Sequence, residues 1–270
     1  MKETLVGLVI RSAEQGENGK YLTLLTNAGK RYVSVSGARG MKSRFVATAQ
    51  LFCYAEYQVE VKDGRSYLRD SARIENFYEI FSDPEKSALA AYLCEVAQQV
   101  CMENNDESEM LSLILNILYV LVTANAPIEL VKAVFETRVV SIQGVAPDLT
   151  LCRGCQEHGG ETVYLDVMNG EIVCPECLMK EEALLKDAVP ADDGTARILL
   201  PISYPVRQAI GYVLACKPKR IFAFTLDGEW HEMMGRISES YLLHHLECHC
   251  RSLAMYHEMK QLRKQPQGDA

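Results

Sequence analysis

Phe81-Ser82-Asp83-Pro84-Glu85 is where the period of this chain changes. Ser82 and Glu85 have the spacing of a capping box and Pro84 falls in a first helical turn; Leu89, Tyr92, Leu93, Val96 and Val100 then follow at helical intervals. On the amino side the period is two. Leu5 to Ile10, Tyr21 to Thr26, Arg31 to Val35, Phe52 to Val61 and Tyr67 to Ala72 read as five strands. Turn chemistry separates them at Gly16-Glu17-Asn18-Gly19, Asn27-Ala28-Gly29, Gly37 to Gly40 and Asp63-Gly64, so they should pair mostly with sequence neighbours. The expectation is an OB-type five-stranded β-barrel over residues 1–80, closed so that no sheet edge is exposed.

Beyond the seam the chain reads as an α-helical domain, residues 81–270, which makes the fold class α+β and multidomain. A second helix spans Ser108 to Ala124, and Pro127 opens a third, through Leu130, Val134 and Val139, that Gly144 can end. Residues 188–195 form a polar linker, and the remaining third reads mainly as helix, with segments at Tyr204 to Ala215 and Glu229 to His249. The last seven residues, Lys264 to Ala270, should fray.

Cys152-Arg153-Gly154-Cys155 and Cys174-Pro175-Glu176-Cys177 interrupt that domain, at about residues 147–180, with the ligand spacing of a four-thiolate zinc ribbon or knuckle. Each pair lets a tight turn aim two sulfurs at one ion. Four thiolates close the coordination sphere, so a single structural zinc is expected rather than a catalytic one. A thioredoxin-type redox pair fits poorly because the motif comes twice, preceded by Gly144, Pro147 and Asp148. Zinc deaminase chemistry lacks its upstream His-x-Glu. Disulfides would need an oxidising compartment, whereas the start of the chain reads as a strand, not a signal peptide; the expected setting is the reduced cytoplasm. Residues 244–250, His-His-Leu-Glu-Cys-His-Cys, offer helical pairs for a second metal, though such a run more often divides into buried cysteines and exposed histidines.

The net charge of -8 conceals an asymmetry: residues 1–73 carry 12 Lys or Arg against 7 Asp or Glu, while the remainder is strongly acidic. A basic head on an acidic body suits a polyanion on one surface and protein on another. The loop Gly37-Ala38-Arg39-Gly40-Met41-Lys42-Ser43-Arg44 places Arg39, Lys42 and Arg44 for phosphate contact, and Arg11, Lys30 and Arg31 extend the set. Tyr21, Tyr32, Phe45 and Tyr54 are candidates for stacking on bases or for the core. No nucleotide-binding or hydrolytic motif is present, and no apolar run reaches the length of a bilayer span.

In this order of parts the chain resembles the bacterial RecO family of recombination mediators. The resemblance is carried by Gly7-Leu8-Val9-Ile10-Arg11, by Leu22-Thr23-Leu24-Leu25-Thr26 with Gly29-Lys30, and by Ser36-Gly37-Ala38-Arg39 with Lys42-Ser43-Arg44. It continues through Phe135-Glu136-Thr137-Arg138, Gly144, Pro147-Asp148-Leu149, the four cysteines, Tyr241-Leu242 and Arg251-Ser252-Leu253. It implies a non-enzymatic adaptor that binds single- and double-stranded DNA, anneals complementary strands, contacts the carboxy-terminal tail of single-stranded DNA-binding protein, and pairs with RecR so that RecA is loaded. Lys132, Arg138 and Arg207 are candidate cations for the acidic tail. Gly40 stands where the family often has a second cation, which weakens the loop as a phosphate clamp. The alternative reading is a zinc-ribbon protein that binds RNA or recruits partners in transcription or translation. An enzyme assembled from distant residues is a remote third.

Overall fold

The computed structural model describes residues 1–38, 40, 43–124, 126–187 and 197–264. The five expected strands form β1 (Lys2–Gln15), β2 (Gly19–Thr26), β3 (Gly29–Val35), β4 (Cys53–Lys62) and β5 (Arg65–Asn76). They close into a barrel of order β1-β2-β3-β5-β4. Neighbour pairing accounts for β1 with β2, β2 with β3 and β4 with β5; closure comes from antiparallel β1 with β4 and a short parallel contact of β3 with β5. Alternation sends Leu22, Leu24, Val33, Val35, Tyr57 and Val59 into the interior.

One irregularity decides which way β1 faces. Val9 pairs with Leu24 and Arg11 with Thr23, so Ile10 is an extra residue, a bulge, and the parity of β1 flips there. Val9 lies in the interior, whereas Arg11 is exposed. The carbonyl of Ile10 accepts a hydrogen bond from Gln98 Nε2 at 3.1 Å.

The chain divides into two compact units, one holding Met1–Ile128 and the chain from His249 onward, the other Glu129–Cys248. In the first, α1 (Pro84–Val100) is capped by Asp83, whose carboxylate accepts from the amides of Glu85 and Lys86. Ser82, expected as the cap, instead donates to the Glu79 carbonyl in the short 3-10 turn Tyr78–Ser82. The next helix, α2 (Ser108–Thr123), buries Met110, Leu111, Leu113, Ile114, Ile117, Leu118 and Leu121, and Lys86 Nζ on α1 donates to the carbonyl of Leu121 at 2.6 Å. The β2–β3 turn docks on residues 102–107. Gly29 has φ 96°, and a Cβ there would lie 2.5 Å from the Met102 carbonyl oxygen, so only glycine fits.

The second unit opens with all but the first residue of α3 (Ile128–Ile142), then β6 (Asp148–Cys152), β7 (Thr162–Asp166) and β8 (Glu171–Val173), α4 (Pro175–Asp187), β9 (Leu199–Ser203), α5 (Tyr204–Ala215) and α6 (Gly228–Leu246). Its sheet runs β6-β8-β7-β9. β9 is a strand that the mainly helical expectation for this third did not place: five residues return to pair antiparallel with β7, from Thr162 opposite Ser203 to Asp166 opposite Leu199. The expected linker at 188–195 lies outside the described residues, as do all but the first of the tail residues 264–270. The first unit is completed by α7 (Arg251–Lys264), which buries Leu253 and Tyr256. Among the described residues no helix is long and apolar enough to cross a membrane.

Candidate metal centre and nucleic-acid face

Cys152 ends β6, Cys155 closes the tight turn after it, Cys174 follows β8 and Cys177 lies in the first turn of α4. The four sulfurs lie within 4.8 Å of one another. A tetrahedron of thiolates about 2.3 Å from its centre has edges of about 3.8 Å; the Sγ atoms of Cys155 and Cys174 are 3.9 Å apart. Backbone amides point at the sulfurs as well: Cys174 N lies 3.3 Å and Gly154 N 3.4 Å from Cys152 Sγ, and Cys177 N lies 3.4 Å from Cys174 Sγ. Spacing, donor type and oriented amides therefore fit a metal ion bound by four thiolates.

Burial works against charge on Cys152, but the amides of Cys174, Cys155 and Gly154 outweigh it and bring the thiol down to about 6. Cys177 is pushed up to about 12, chiefly by its hydrogen bond with Cys174 and then by burial. A cation at the centre of the four sulfurs would displace their protons. Cys152, Cys174, Cys177, Val173 and Leu178 form a small core against which Tyr164 and Leu199 pack.

A closed circuit of charges braces this knuckle. Arg153 contacts Asp166 and Glu181, each at 2.8 Å, and Arg197 contacts the same two carboxylates, each at 2.9 Å. Asp166 is fully buried and also accepts from the side-chain amide of Asn169 at 3.0 Å. The circuit joins the knuckle, β7, α4 and the lead into β9. Sequence reasoning missed it; its one local signal was an arginine inside a Cys-x-x-Cys turn.

The run at 244–250 does not assemble a second centre. His245 donates through Nε2 to the Val167 carbonyl at 2.7 Å, and α6 ends at Glu247, whose φ of 48° turns the chain before His249 and Cys250. Among the described residues, the four cysteines alone bring three or more metal-ligating side chains together.

On the barrel, the register sets Arg11, Thr23 and Tyr32 in one cross-strand row, and Ala13, Tyr21, Ser34 and Tyr67 in the next. Tyr21 and Tyr32, diagonal neighbours, lie with ring centroids 6.0 Å apart and planes only 6° from parallel. They line a groove of about 610 Å³, flanked by Glu14 and Gln15 before the β1–β2 turn and by Gly64, Arg65 and Ser66 at the β4–β5 turn; Arg31 and Glu103 complete it. Burial raises the Tyr32 phenol above its ordinary value, Glu103 adds to the shift and Arg11 opposes it.

The structure therefore brings Arg11 and Arg31 to the tyrosine pair and directs Lys30 and Arg44 elsewhere. Arg31 is held by Glu3 at 2.8 Å. Lys30 turns to α1, its ammonium 2.6 Å from the Gln98 carbonyl. Arg44 lies over the Phe45 ring, 4.7 Å from its centroid, with Asp70 at 3.9 Å. Arg39 and Lys42 lie outside the described residues. Of the expected aromatics, Phe45 belongs to the barrel core. Arg65 was missed, although it directly follows the Asp63-Gly64 turn.

The candidate cations for an acidic tail are all buried. Lys132 sits 2.7 Å from both Glu136 and Glu239, Arg138 donates to the carbonyls of Val213 and Leu214, and Arg207 donates to the His158 carbonyl. The motif Phe135-Glu136-Thr137-Arg138 thus has an internal role: Glu136 also accepts from Ser238 Oγ at 2.7 Å, and Arg138 satisfies carbonyls at the end of α5.

Comparison with known proteins covers nearly the whole chain. The family model described as Recombination protein O N terminal matches residues 1–77, and that described as Recombination protein O C terminal matches residues 81–254. A DNA repair protein RecO from Acetivibrio thermocellus is 31% identical over 244 residues, which cover 89% of this chain and 90% of the relative. Similar relatives are found in Desulforudis audaxviator, 27% identical over 253 residues (93% and 95% covered), and Bacillus subtilis, 27% over 208 residues (77% and 79% covered). Both also bear the name DNA repair protein RecO.

Proposed function

The chain belongs to the RecO family of DNA repair proteins, and from that premise we propose that it is a DNA-binding recombination mediator working as an adaptor without an active site. In this reading residues 1–80 hold single- or double-stranded DNA by its phosphates and residues 81–270 meet protein partners. The protein anneals complementary strands, engages RecR and the carboxy-terminal tail of single-stranded DNA-binding protein, and so helps to load RecA in the bacterial cytoplasm. The observation that carries the reading is a closed five-stranded barrel, in a chain matched by both RecO family models, with Arg11 and Arg31 beside a pair of tyrosines.

Arg11, Arg31 and Arg44 are the described contacts we assign to phosphate; Lys30, Arg39 and Lys42 complete the proposed set. Holding phosphates offsets the repulsion between two strands and leaves most bases free to pair. The ion we assign to Cys152, Cys155, Cys174 and Cys177 is one structural zinc, which clips the knuckle to α4 and supplies no chemistry.

Gel shifts across a salt series, with strand annealing measured with and without single-stranded DNA-binding protein, test the reading. The three described contacts alone imply that single-strand affinity falls about 20-fold between 50 and 200 mM salt, and the full set of six implies a fall of about 300-fold. A flat response, or unchanged binding after Arg11, Arg31 and Arg44 become glutamate, overturns the phosphate assignment. RNA binding without DNA annealing would instead favour the zinc-ribbon adaptor.

A further inference from the structure

We propose that Tyr21 and Tyr32 form a base-stacking slot that accepts unpaired DNA and rejects duplex. This rests on the DNA-binding reading above and names the part of the strand that the barrel takes in.

The rings stand on the outer face of adjacent strands, parallel within 6°, and Tyr21 is 39% exposed. Two parallel rings stacked at diagonal positions beside the groove offer a platform on which unstacked bases can lie, and stacking of this kind is tolerant of sequence because every base has a π face.

Charge decides which part of a strand enters. Arg11 and Arg31 lie beside Tyr32, and Arg65 stands at the β4–β5 turn, where phosphates can be met. The groove itself is also lined by two carboxylates, Glu14 and Glu103. A phosphate there would face like charge, whereas a base carries none and can donate an edge N–H to a carboxylate, the imino N3–H in thymine or an exocyclic amino hydrogen in the other bases. A single strand can satisfy both demands by turning its bases inward and its phosphates toward the rim. A duplex cannot, because its base faces are already stacked on neighbours and phosphates form its outermost surface.

The consequence bears on annealing. The slot holds the substrate form of the strand, and pairing withdraws the bases from the tyrosines. The product loses the stacking contacts that retained its precursor, and release follows from pairing itself.

Binding of the full-length protein to a fluorescent oligodeoxythymidine, to the same length of abasic strand and to a duplex tests the slot. Tyr21→Leu and Tyr32→Leu should each weaken single-strand binding by about 5- to 100-fold, leaving abasic and duplex binding unchanged. Tyr21→Phe and Tyr32→Phe, which keep the ring, should bind as the parent does. Strands carrying 5-iodouracil should photocross-link to Tyr21 or Tyr32 in the parent protein, a readout that needs no variant to fold. Leucine variants that bind single strands as tightly as the parent, or that lose abasic and duplex binding equally, overturn the slot while the DNA-binding reading stands. A parent protein that binds none of the three probes overturns both.

Discussion

The position a Cβ would occupy on Gly154 lies 2.9 Å from the sulfur of Cys177 and 3.0 Å from its Cβ. The knuckle and the first turn of α4 approach so closely that a methyl group cannot stand between them. Gly154→Ala should therefore part the sulfurs, lowering bound metal below one ion per chain and destabilising the second unit by about 1–3 kcal/mol. Gly160→Ala is the control, since a Cβ at Gly160 meets nothing within 4 Å. Zinc quantification and thermal unfolding of both variants check the pair; equal metal content in the two would remove the steric argument.

Asp166 is fully buried between Arg153 and Arg197, and its carboxylate is the inner corner of the charge circuit. Asp166→Asn leaves two guanidinium groups facing a neutral amide. Removing one partner of a buried pair costs about 3–5 kcal/mol, and the partial exposure of both arginines lowers the expectation to about 2–3 kcal/mol. Urea denaturation measures it. A shift below 0.5 kcal/mol, well inside the ~1 kcal/mol ceiling of exposed pairs, would mean that Glu181 and solvent rather than Asp166 balance the arginines.

Metal removal should act on one unit of the chain. Trp230, the sole tryptophan, belongs to α6 in the second unit, so its fluorescence reports unfolding there. A chelator should lower the midpoint followed by Trp230 and leave the salt-dependent binding of DNA unchanged. Partial rather than complete unfolding is expected, because the second unit also has apolar residues buried in α3 and α5, including Val134, Phe135, Val206 and Ile210. An unmoved midpoint would count against a resident ion.

What the sequence made legible was local. Alternation and the turns at Asn27-Ala28-Gly29 and Asp63-Gly64 located five strands, and Cys-x-x-Cys spacing located the metal centre. The bulge at Ile10 was hidden because it falls at the end of the strand read from Leu5 to Ile10, where the pattern shows no break, yet that one extra residue turns Arg11 outward. β9 was hidden because its partner β7 lies across the whole of α4 and the residues after it, and non-local pairing leaves no periodic trace in five residues. The direction taken by Lys30 depends on where α1 docks, which no pattern around Lys30 encodes. The charge circuit draws Asp166, Glu181 and Arg197 from three elements, and only the fold brings them to Arg153.

Glu95 on α1 caps α7 from outside that helix: its carboxylate accepts from the amides of Arg251 and Ser252, at 3.0 and 2.9 Å, and from the Ser252 hydroxyl. Burial alone would raise this carboxyl, but the Ser252 hydroxyl and the two amides outweigh it and hold it below the ordinary 4.5. A carboxylate whose folded pKa is depressed stabilises the fold in full above its unfolded pKa, and the stabilisation is lost as pH falls through the folded value. Docking of α7 should therefore be constant above about pH 4.5 and weaken below it, by an amount in the range of a helix cap, about 0.5–2 kcal/mol. Glu95→Gln should loosen α7 at neutral pH and remove this part of the acid dependence. Hydrogen exchange at residues 251–256, corrected for the intrinsic rate at each pH, reads both effects. Exchange in that segment that follows the same pH profile in the parent and in Glu95→Gln would show that another group governs the release of α7.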